Sequence, residues 1–156
     1  DASRILLDES RGTFVSLHKK GELRGCIGNI EPVKTIFESV SDNAGHAAFN
    51  DSRFPPLRIE ELGDVQIEVS ILTRPEPLDY SDGDDLMSRL EPGVHGVIIE
   101  KRYHKATFLP QVWDQLPDPA QFLSRLCQKA GLPADEWQTG DLTVLTYQVQ
   151  LFEESE

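Results

Sequence analysis

The hexapeptide Leu23-Arg-Gly-Cys-Ile-Gly28 holds the residue types in this sequence that are best suited to chemistry. On an extended strand, Arg24 and Cys26 point to the same face. A guanidinium group beside a thiol favours the thiolate, which is the nucleophilic form. Gly25 and Gly28 flank the cysteine and leave room for another backbone or a ligand to approach closely. The motif therefore predicts a small-molecule cleft with Arg24, Gly25 and Gly28 among its binding residues.

Two interpretations of Cys26 stay open at the level of sequence. In the first, Cys26 is a catalytic nucleophile that uses His18 or His95 as its base. In the second, it is a small and inert side chain packed in a tight sheet, since unpaired cysteine is among the most buried residue types. Cys127 differs because it lies on the apolar stripe of a predicted helix, where we expect it to be part of the core.

Glu68 and Ser70 share the polar face of a predicted strand. The opposite face carries four aliphatic residues: Val65, Ile67, Val69 and Ile71. Glu68 is a candidate catalytic residue, as a general base, and Ser70 is a candidate contact to a polar substrate. The alternative is that both belong to the ordinary solvated face of a half-covered sheet.

Two residues in predicted loops complete the candidate site. Arg53 lies in a proline-rich loop beside Phe54, where it suits either an anchor for a ligand carboxylate or phosphate, or a clamp on a structural carboxylate. Gln111 follows a predicted strand and suits the orientation of a ligand. Trp113, two residues later, is suited to stacking on a ligand, but we expect it in the core.

Hydrophobic periodicity and turn residues predict the elements that must position these side chains. The predicted strands are Gly12–His18, Leu23–Gly28, Val65–Ile71, Val94–Glu100, Lys105–Leu109 and Leu142–Phe152. The predicted helices are Pro32–Phe49, Asp84–Leu90, and one that Asp118 caps, Pro119 begins and Gly131 ends. Hairpins outnumber βαβ units, so we expect an α+β fold with a largely antiparallel sheet and about three helices.

Composition and charge argue against several classes of partner, location and cofactor. Fifteen basic and 27 acidic residues give a net charge of −12, and such a field repels phosphate groups, so we expect no nucleic-acid or membrane partner. There is no apolar run long enough to span a bilayer and no signal-peptide pattern, which predicts a cytoplasmic protein. The two cysteines and four histidines show no metal-ligand spacing, and the glycine spacing lacks a P-loop lysine, so we expect neither a metal nor a cofactor.

Together with five further motifs, the hexapeptide resembles the signature of the AMMECR family, whose bacterial and archaeal members are called AmmeMemoRadiSam system protein A. The further motifs are Asp51-Ser-Arg-Phe-Pro-Pro-Leu57, Ile67-Glu-Val-Ser70, Gly93-Val-His-Gly96, Ala106-Thr-Phe-Leu-Pro-Gln-Val-Trp113 and Phe122-Leu-x-x-Leu-Cys-x-Lys-Ala-Gly-Leu132. The motifs occur one after another along the sequence, so the resemblance covers nearly the whole chain.

This resemblance implies one AMMECR-type domain over residues 1–156, with a larger and a smaller lobe and a cleft at the hexapeptide. It also implies gene-neighbourhood company with a Memo-like protein and a radical-SAM protein. Members of the family usually have a helix before the first strand, for which residues 1–11 are too short, so we expect that helix to be truncated.

The family carries no settled activity, so two hypotheses about function remain. One is thiol or acid/base chemistry on a small polar metabolite, with Cys26 and Glu68 as catalytic residues. The other is a non-catalytic partner-binding or adaptor module, for which the acidic C-terminal two-thirds of the chain offers an electrostatic face.

Overall fold

The computed structural model describes residues 7–139 and 141–154 of the chain. The strands are β1 (Thr13–Lys19), β2 (Glu22–Asn29), β3 (Val65–Leu72), β4 (Glu76–Pro77), β5 (Gly96–Lys101), β6 (His104–Phe108), β7 (Thr143–Tyr147) and β8 (Val149–Glu153). The α-helices are α1 (Ile36–Phe49), α2 (Gly83–Arg89) and α3 (Pro119–Lys129). Short 3₁₀ helices cover Ile59–Asp64, Pro110–Asp114 and Glu136–Gln138. Within the described residues, no helix combines the length and the apolar character that crossing a bilayer demands.

The chain divides into two compact units. The first unit comprises residues up to 74 and from 150 onward, and the second comprises residues 75–149. One sheet has the strand order β2-β1-β3-β8, and the other has the order β4-β7-β5-β6. The predicted α+β class and its antiparallel pairing are confirmed, with the pairing divided between two sheets.

In the first unit, β1 and β2 form a tight hairpin. Its two turn residues, Lys20 and Gly21, have φ angles of 53° and 80°, which match the twist of a two-residue hairpin turn. Helix α1 packs on one face of the sheet, where Val15, Leu17 and Ala47 are buried together. We refer to this face as the helix face and to the opposite side of the same sheet as the polar face.

Helix α1 begins at Ile36 rather than at Pro32, so the predicted start was wrong by one turn. The hydroxyl of Thr35 accepts the backbone N–H of Glu38 and caps the helix there. A side-chain cap accepts one of the free N–H groups of the first turn. Proline is compatible with the first turn but provides no such acceptor. The helix then continues to Phe49, as predicted.

A set of buried polar side chains holds α1 against the hairpin. The hydroxyls of Thr13 and Ser39 lie 2.6 Å apart. The Asn43 amide donates to the hydroxyl of Thr13 over 3.0 Å and to Oδ1 of Asn29 over 2.9 Å. Buried polar groups are tolerated when they bond to one another, and their directionality fixes α1 in one position along β1 and β2.

The second unit is built on a larger apolar core. Helix α3 starts at Pro119 with Asp118 as its N-cap, as predicted. The ring of Trp113 stacks on that of Phe122 with 3.7 Å between centroids. The remaining fully buried core residues include Leu86, Val97, Ile99, Leu123, Leu126 and Cys127.

One predicted strand was wrong. The segment Leu142–Phe152 forms β7 and β8, which belong to different sheets and are separated at Gln148. Its apolar and β-branched residues continue through the break, so the sequence contains no signal for it. The other strand boundaries lie within two residues of their predictions.

Candidate functional site

The register of the β1–β2 hairpin shifts by one residue at Arg24. Nearer the turn, His18 pairs with Leu23, and beyond the shift Leu17 pairs with Gly25. Arg24 is therefore an extra residue with no Cα partner on β1, which is the pattern of a β-bulge. A shift of one residue moves every later side chain of the strand to the opposite face of the sheet.

The bulge decides which way Cys26 faces. An unbulged hairpin with the same turn would pair Cys26 with Val15, which is fully buried on the helix face. In the structure, Cys26 pairs with Ser16 instead, and Gly25 takes the position on the helix face. Cys26 is consequently a free thiol on the polar face and is only half-buried.

Three polar side chains form a row across the polar face. Ser16 is the Cα partner of Cys26 on one side and of Glu68 on the other. The Ser16 hydroxyl donates a hydrogen bond to Sγ of Cys26 over 3.2 Å. Because adjacent strands lie about 4.8 Å apart, Cys26 and Glu68 are separated by about 10 Å across the sheet. A small molecule can span that distance, with the serine hydroxyl beneath its centre.

Asp51 and Arg53 hold the backbone of Cys26 in place. The Asp51 carboxylate is almost wholly buried and accepts the backbone N–H of Cys26 over 3.0 Å. It also accepts two hydrogen bonds from the Arg53 guanidinium, over 2.7 and 3.0 Å, and the bonds from Arg53 hold the pKa of Asp51 well below its usual range. Arg53 donates in turn to the carbonyl oxygen of Cys26 over 3.3 Å. Arg53 is thus bound to a carboxylate of the protein while more than half of its side chain stays exposed.

Glu68 lines a recess of about 200 Å³ at the other end of the row, together with His18 and Glu153. Burial raises the pKa of the Glu68 carboxyl group. Nε2 of His18 lies 3.9 Å from Oε2 of Glu68 and opposes this shift, whereas Glu153 adds to it. A carboxyl group with a raised pKa beside an imidazole is suited to proton transfer.

The Arg24 guanidinium is engaged by Glu61 and not by the thiol. Its Nε and Nη2 donate to the two carboxylate oxygens over 3.1 and 3.0 Å, and Lys19 donates to the same carboxylate over 3.0 Å. These contacts, that of Arg24 foremost, lower the pKa of Glu61 to about 2. The guanidinium that contacts the hexapeptide beside Cys26 is therefore that of Arg53.

The space at the two glycines of the hexapeptide is filled by the protein itself. A Cβ atom at Gly25 would lie 2.1 Å from the backbone oxygen of Ala47 at the end of α1. A Cβ atom at Gly28 would lie 2.2 Å from the ring of Phe14. Both glycines permit close packing of the first unit, and the backbone of α1 makes the close approach at Gly25.

The other predicted site residues lie apart from the row. Ser70 is buried on β3, one position along the polar face from Glu68, where it pairs with Phe14. Gln111 belongs to the second unit, where it is exposed in the 3₁₀ helix Pro110–Asp114. Within the first unit the fold therefore places Cys26 and Glu68 on one face, with Arg53 at the end where Cys26 lies.

The side chains that we expected in the core are found there. Cys127 is fully buried, and burial raises the pKa of its thiol to about 11. Trp113 is buried, and its indole N–H donates to the carbonyl oxygen of His95 over 2.8 Å. The His95 ring accepts the backbone N–H of Glu91 over 3.0 Å, so local backbone contacts account for its position.

Three residues of the site were missed by the sequence analysis: Ser16, Asp51 and Glu153. Ser16 lies two residues before His18 on β1, so the predicted strand already places both side chains on the same face. Asp51 accepts the N–H of Arg53 two residues later, a local turn that Asp-x-Arg spacing favours. Glu153 carried no such signal because β8 was not distinguished from β7.

The site has the groups for nucleophilic and proton-transfer chemistry. It contains a thiol with a hydroxyl donor, and a carboxyl group with an imidazole beside it. Within residues 7–139 and 141–154, no three His, Cys, Asp or Glu side chains are grouped in a way that could hold a metal ion.

Comparison with known proteins places the chain among archaeal relatives. The AMMECR1 family model matches residues 1–152. A protein of Methanothermobacter thermautotrophicus is 44% identical over 147 residues, which are 94% of this chain and 77% of that protein. A protein of Methanopyrus kandleri is 41% identical over 96% of this chain and 74% of its own length. The crystal structure of an uncharacterized protein from Pyrococcus horikoshii superposes with a TM-score of 0.88, at 35% identity over 96% of this chain and 76% of that one.

Proposed function

This chain belongs to the AMMECR1 family, and we propose that the polar face of its first unit is an active site for thiol or acid/base chemistry on a small polar metabolite. The observation that carries the proposal is the row of Cys26, Ser16 and Glu68 across three adjacent strands. The hydroxyl contact to the thiol and the imidazole beside the carboxyl group support it.

The roles follow from the positions of the groups. The Cys26 thiol gives its proton to solvent, and the Ser16 hydroxyl stabilises the negative charge on the sulfur. The sulfur then adds to a carbonyl carbon of the substrate, the carbonyl π bond opens onto its oxygen, and that oxygen takes a proton from solvent. Glu68 lies about 10 Å from Cys26 across the sheet, and the His18 ring lies beside its carboxyl group. This pair therefore acts on a second substrate atom at the other end of the row. Asp51 and Arg53 are positioning residues that hold the backbone of Cys26.

The surroundings favour a polar substrate over an apolar one. The recess beside Glu68 is lined by His18, Gln66, Glu153 and Glu154 in addition to Glu68, with Ile67 as its one apolar member. These side chains are mainly hydrogen-bond acceptors, so they suit a substrate that carries donor groups such as hydroxyls or amines.

Mass spectrometry of covalent adducts tests this function. The protein is incubated with a pool of small hydroxyacyl and aminoacyl thioesters, which transfer their acyl group to a thiol and release their own thiol, and the adducts are mapped to individual cysteines. We expect a saturable adduct on Cys26 that is absent from Cys26→Ser and is formed at least about tenfold more slowly by Glu68→Gln. The matched control, Cys127→Ser, should keep the adduct. Equal adduct formation in wild type and Glu68→Gln would contradict the role of the row.

A second function, the partner-binding module, is supported by exposed apolar side chains of the first unit. Five of them are between 57% and 79% exposed: Val33, Phe37, Phe49, Ile59 and Leu62. Large apolar side chains left exposed in one unit are candidates for contact with a partner. We propose a Memo-like or radical-SAM protein in the cytoplasm as the partner on this hypothesis.

Co-purification with the Memo-like protein at low and high salt tests the second function. A complex that survives high salt, persists in Cys26→Ser and is lost in the double variant Phe37→Ser, Ile59→Ser would support an adaptor role. Absence of any complex at both salt concentrations would contradict it, because association through apolar side chains does not require low salt.

A further inference from the structure

A groove of about 420 Å³ lies in the second unit, between the outer side of α3 and the 3₁₀ helix Glu136–Gln138. This volume falls within the range of small-molecule sites, which is roughly 300–1,000 Å³. The groove plays no part in the function proposed above, which concerns the first unit. Its apolar wall is made by Leu116, Ala120 and the buried ring of Trp137.

Polar side chains without partners line the rest of the groove. Gln121, Arg125 and Gln128 follow one another at helical spacing along α3, and Gln138 faces them from the 3₁₀ helix. Among the described residues, none of these four side chains has a hydrogen-bond or ion-pair partner. The groove therefore presents a guanidinium group and three primary amides, all with free hydrogen-bonding capacity.

Ser124 adds an oriented hydroxyl to the floor of the groove. Its oxygen accepts the indole N–H of Trp137 over 3.1 Å. That contact fixes both the indole ring and the serine oxygen, and the hydroxyl proton stays free to be donated to a ligand. This hydrogen bond joins α3 to the 3₁₀ helix, so the floor of the groove is formed before any ligand binds.

The charge pattern of the second unit makes Arg125 distinctive. Residues 75–149 carry six basic and twelve acidic side chains, a net charge of −6. Four of the basic side chains are engaged: Arg89, Lys101, Lys105 and Lys129. The other two basic residues that the structure describes in this unit, Arg125 and Arg102, form no hydrogen bond or ion pair through their side chains. Arg102 lies in the exposed turn between β5 and β6.

We propose that this groove binds the carboxylate of an acylated amino acid or a short peptide. The guanidinium of Arg125 pairs with the carboxylate, which it matches with two parallel N–H donors. The glutamine amides and the Ser124 hydroxyl bond to the amide group of the ligand, and its apolar side chain contacts Leu116 and Trp137. A singly charged carboxylate is favoured over a doubly charged phosphate because the surrounding unit is acidic.

An NMR titration of the full chain with N-acetyl-leucine at neutral pH tests the proposal. We expect saturable shifts in the backbone signals of Ser124, Arg125 and Gln128 and in the indole N–H signal of Trp137. The signals of Cys26 and Ser16 should not move, so the outcome is independent of the function proposed for the first unit. N-acetyl-leucinamide, which lacks the carboxylate, should bind at least about tenfold more weakly, which corresponds to about 1.4 kcal/mol.

Two variants that each remove one unpaired arginine separate a site from general charge attraction. Arg125→Gln should weaken N-acetyl-leucine binding by at least about tenfold, whereas Arg102→Gln should leave it unchanged. Equal weakening in both variants would overturn the proposal, as would inorganic phosphate binding as tightly as N-acetyl-leucine. A lack of saturable shifts in the millimolar range would overturn it as well.

Discussion

The two units differ in what fills the space around their cysteines. In the second unit, Cys127 lies among aromatic and aliphatic side chains that include the stacked pair Trp113 and Phe122, and its thiol is fully buried. In the first unit, a small apolar cluster is supplemented by the hydrogen-bonded side chains of Thr13, Ser39 and Asn43, which hold α1 against the hairpin. Cys26 lies on the opposite face of the sheet, beside Ser16. The comparison indicates that the second unit is stabilised mainly by apolar burial, and that the half-buried thiol belongs to the first unit.

The largest effect is expected at the contact between Gly25 and α1. Gly25→Val places a side chain where the backbone oxygen of Ala47 is 2.1 Å from the Cβ position, so the helix must move away from the sheet. We expect a loss of about 3 kcal/mol or more in the free energy of unfolding, measured by urea denaturation. Gly45→Ala is the matched control in the same unit, because nothing lies within 4 Å of that Cβ position. It should stabilise α1 by up to about 1 kcal/mol. A wild-type midpoint for Gly25→Val would contradict the close approach.

The next largest effect should separate the two cysteines. Cys127→Ser buries a hydroxyl group in an apolar core, which costs about 1–3 kcal/mol. Cys26→Ser should change the free energy of unfolding by less than about 0.5 kcal/mol, because Cys26 is half-buried and already contacts a hydroxyl. Equal losses in the two variants, measured by thermal or urea unfolding, would contradict the contrast between the units.

The pH dependence of stability should differ between the two units. Glu61 has its pKa lowered from 4.5 to about 2 in the fold, so its ion pair stabilises fully above pH 4.5 and is lost as the pH falls towards about 2. Cys127 has its pKa raised from 9.0 to about 11. The unfolded thiol ionises first as the pH rises, so stability declines from pH 9.0 towards about 11. Urea midpoints plotted against pH should therefore fall at both ends of the range. We call the decline at low pH the acid limb and the decline at high pH the alkaline limb.

Single variants assign these limbs to their groups. Glu61→Gln should reduce the slope of the acid limb and leave the alkaline limb unchanged. A residual acid slope should stay, because Arg53 lowers the pKa of the Asp51 carboxyl group as well. Cys127→Ala should flatten the alkaline limb in the range between pH 9.0 and about 11, where Tyr147, with a pKa raised to about 12 by burial, leaves a residual slope. An alkaline limb of full slope in Cys127→Ala would show that the buried thiol does not cause it.

The smallest effect concerns the hydroxyl beside Cys26. Ser16→Ala removes the donor that lies 3.2 Å from Sγ, and a single hydrogen bond of this kind is worth about 1 kcal/mol. We expect the rate of Cys26 alkylation to fall by about threefold to fivefold, since the thiolate loses a stabilising contact. Ser41→Ala on the exposed side of α1 is the matched control and should leave the rate unchanged. An unchanged rate in Ser16→Ala would remove the hydroxyl from the site.

The strands and helices were predicted from the sequence more accurately than the face of the sheet on which the Cys26 side chain lies. The β1–β2 hairpin and the capped start of α3 carried local signals in Lys20-Gly21 and Asp118-Pro119. The bulge at Arg24 carried none, because a bulge inserts a residue without altering residue types, and it alone decides that Cys26 faces Ser16. The contact of Asp51 with Cys26 joins residues 25 positions apart, and the engagement of Arg24 by Glu61 joins residues 37 positions apart. Such pairings depend on the tertiary fold rather than on local pattern.

Alkylation of the folded protein with iodoacetamide, followed by peptide mass spectrometry, tests most directly that the bulge turns Cys26 out of the core. We predict that Cys26 is modified in the native state and that Cys127 reacts only after unfolding in urea. If Cys26 instead stays unmodified up to about pH 9, a range in which accessible protein thiols are alkylated, its sulfur is enclosed and the polar face is not a reactive site.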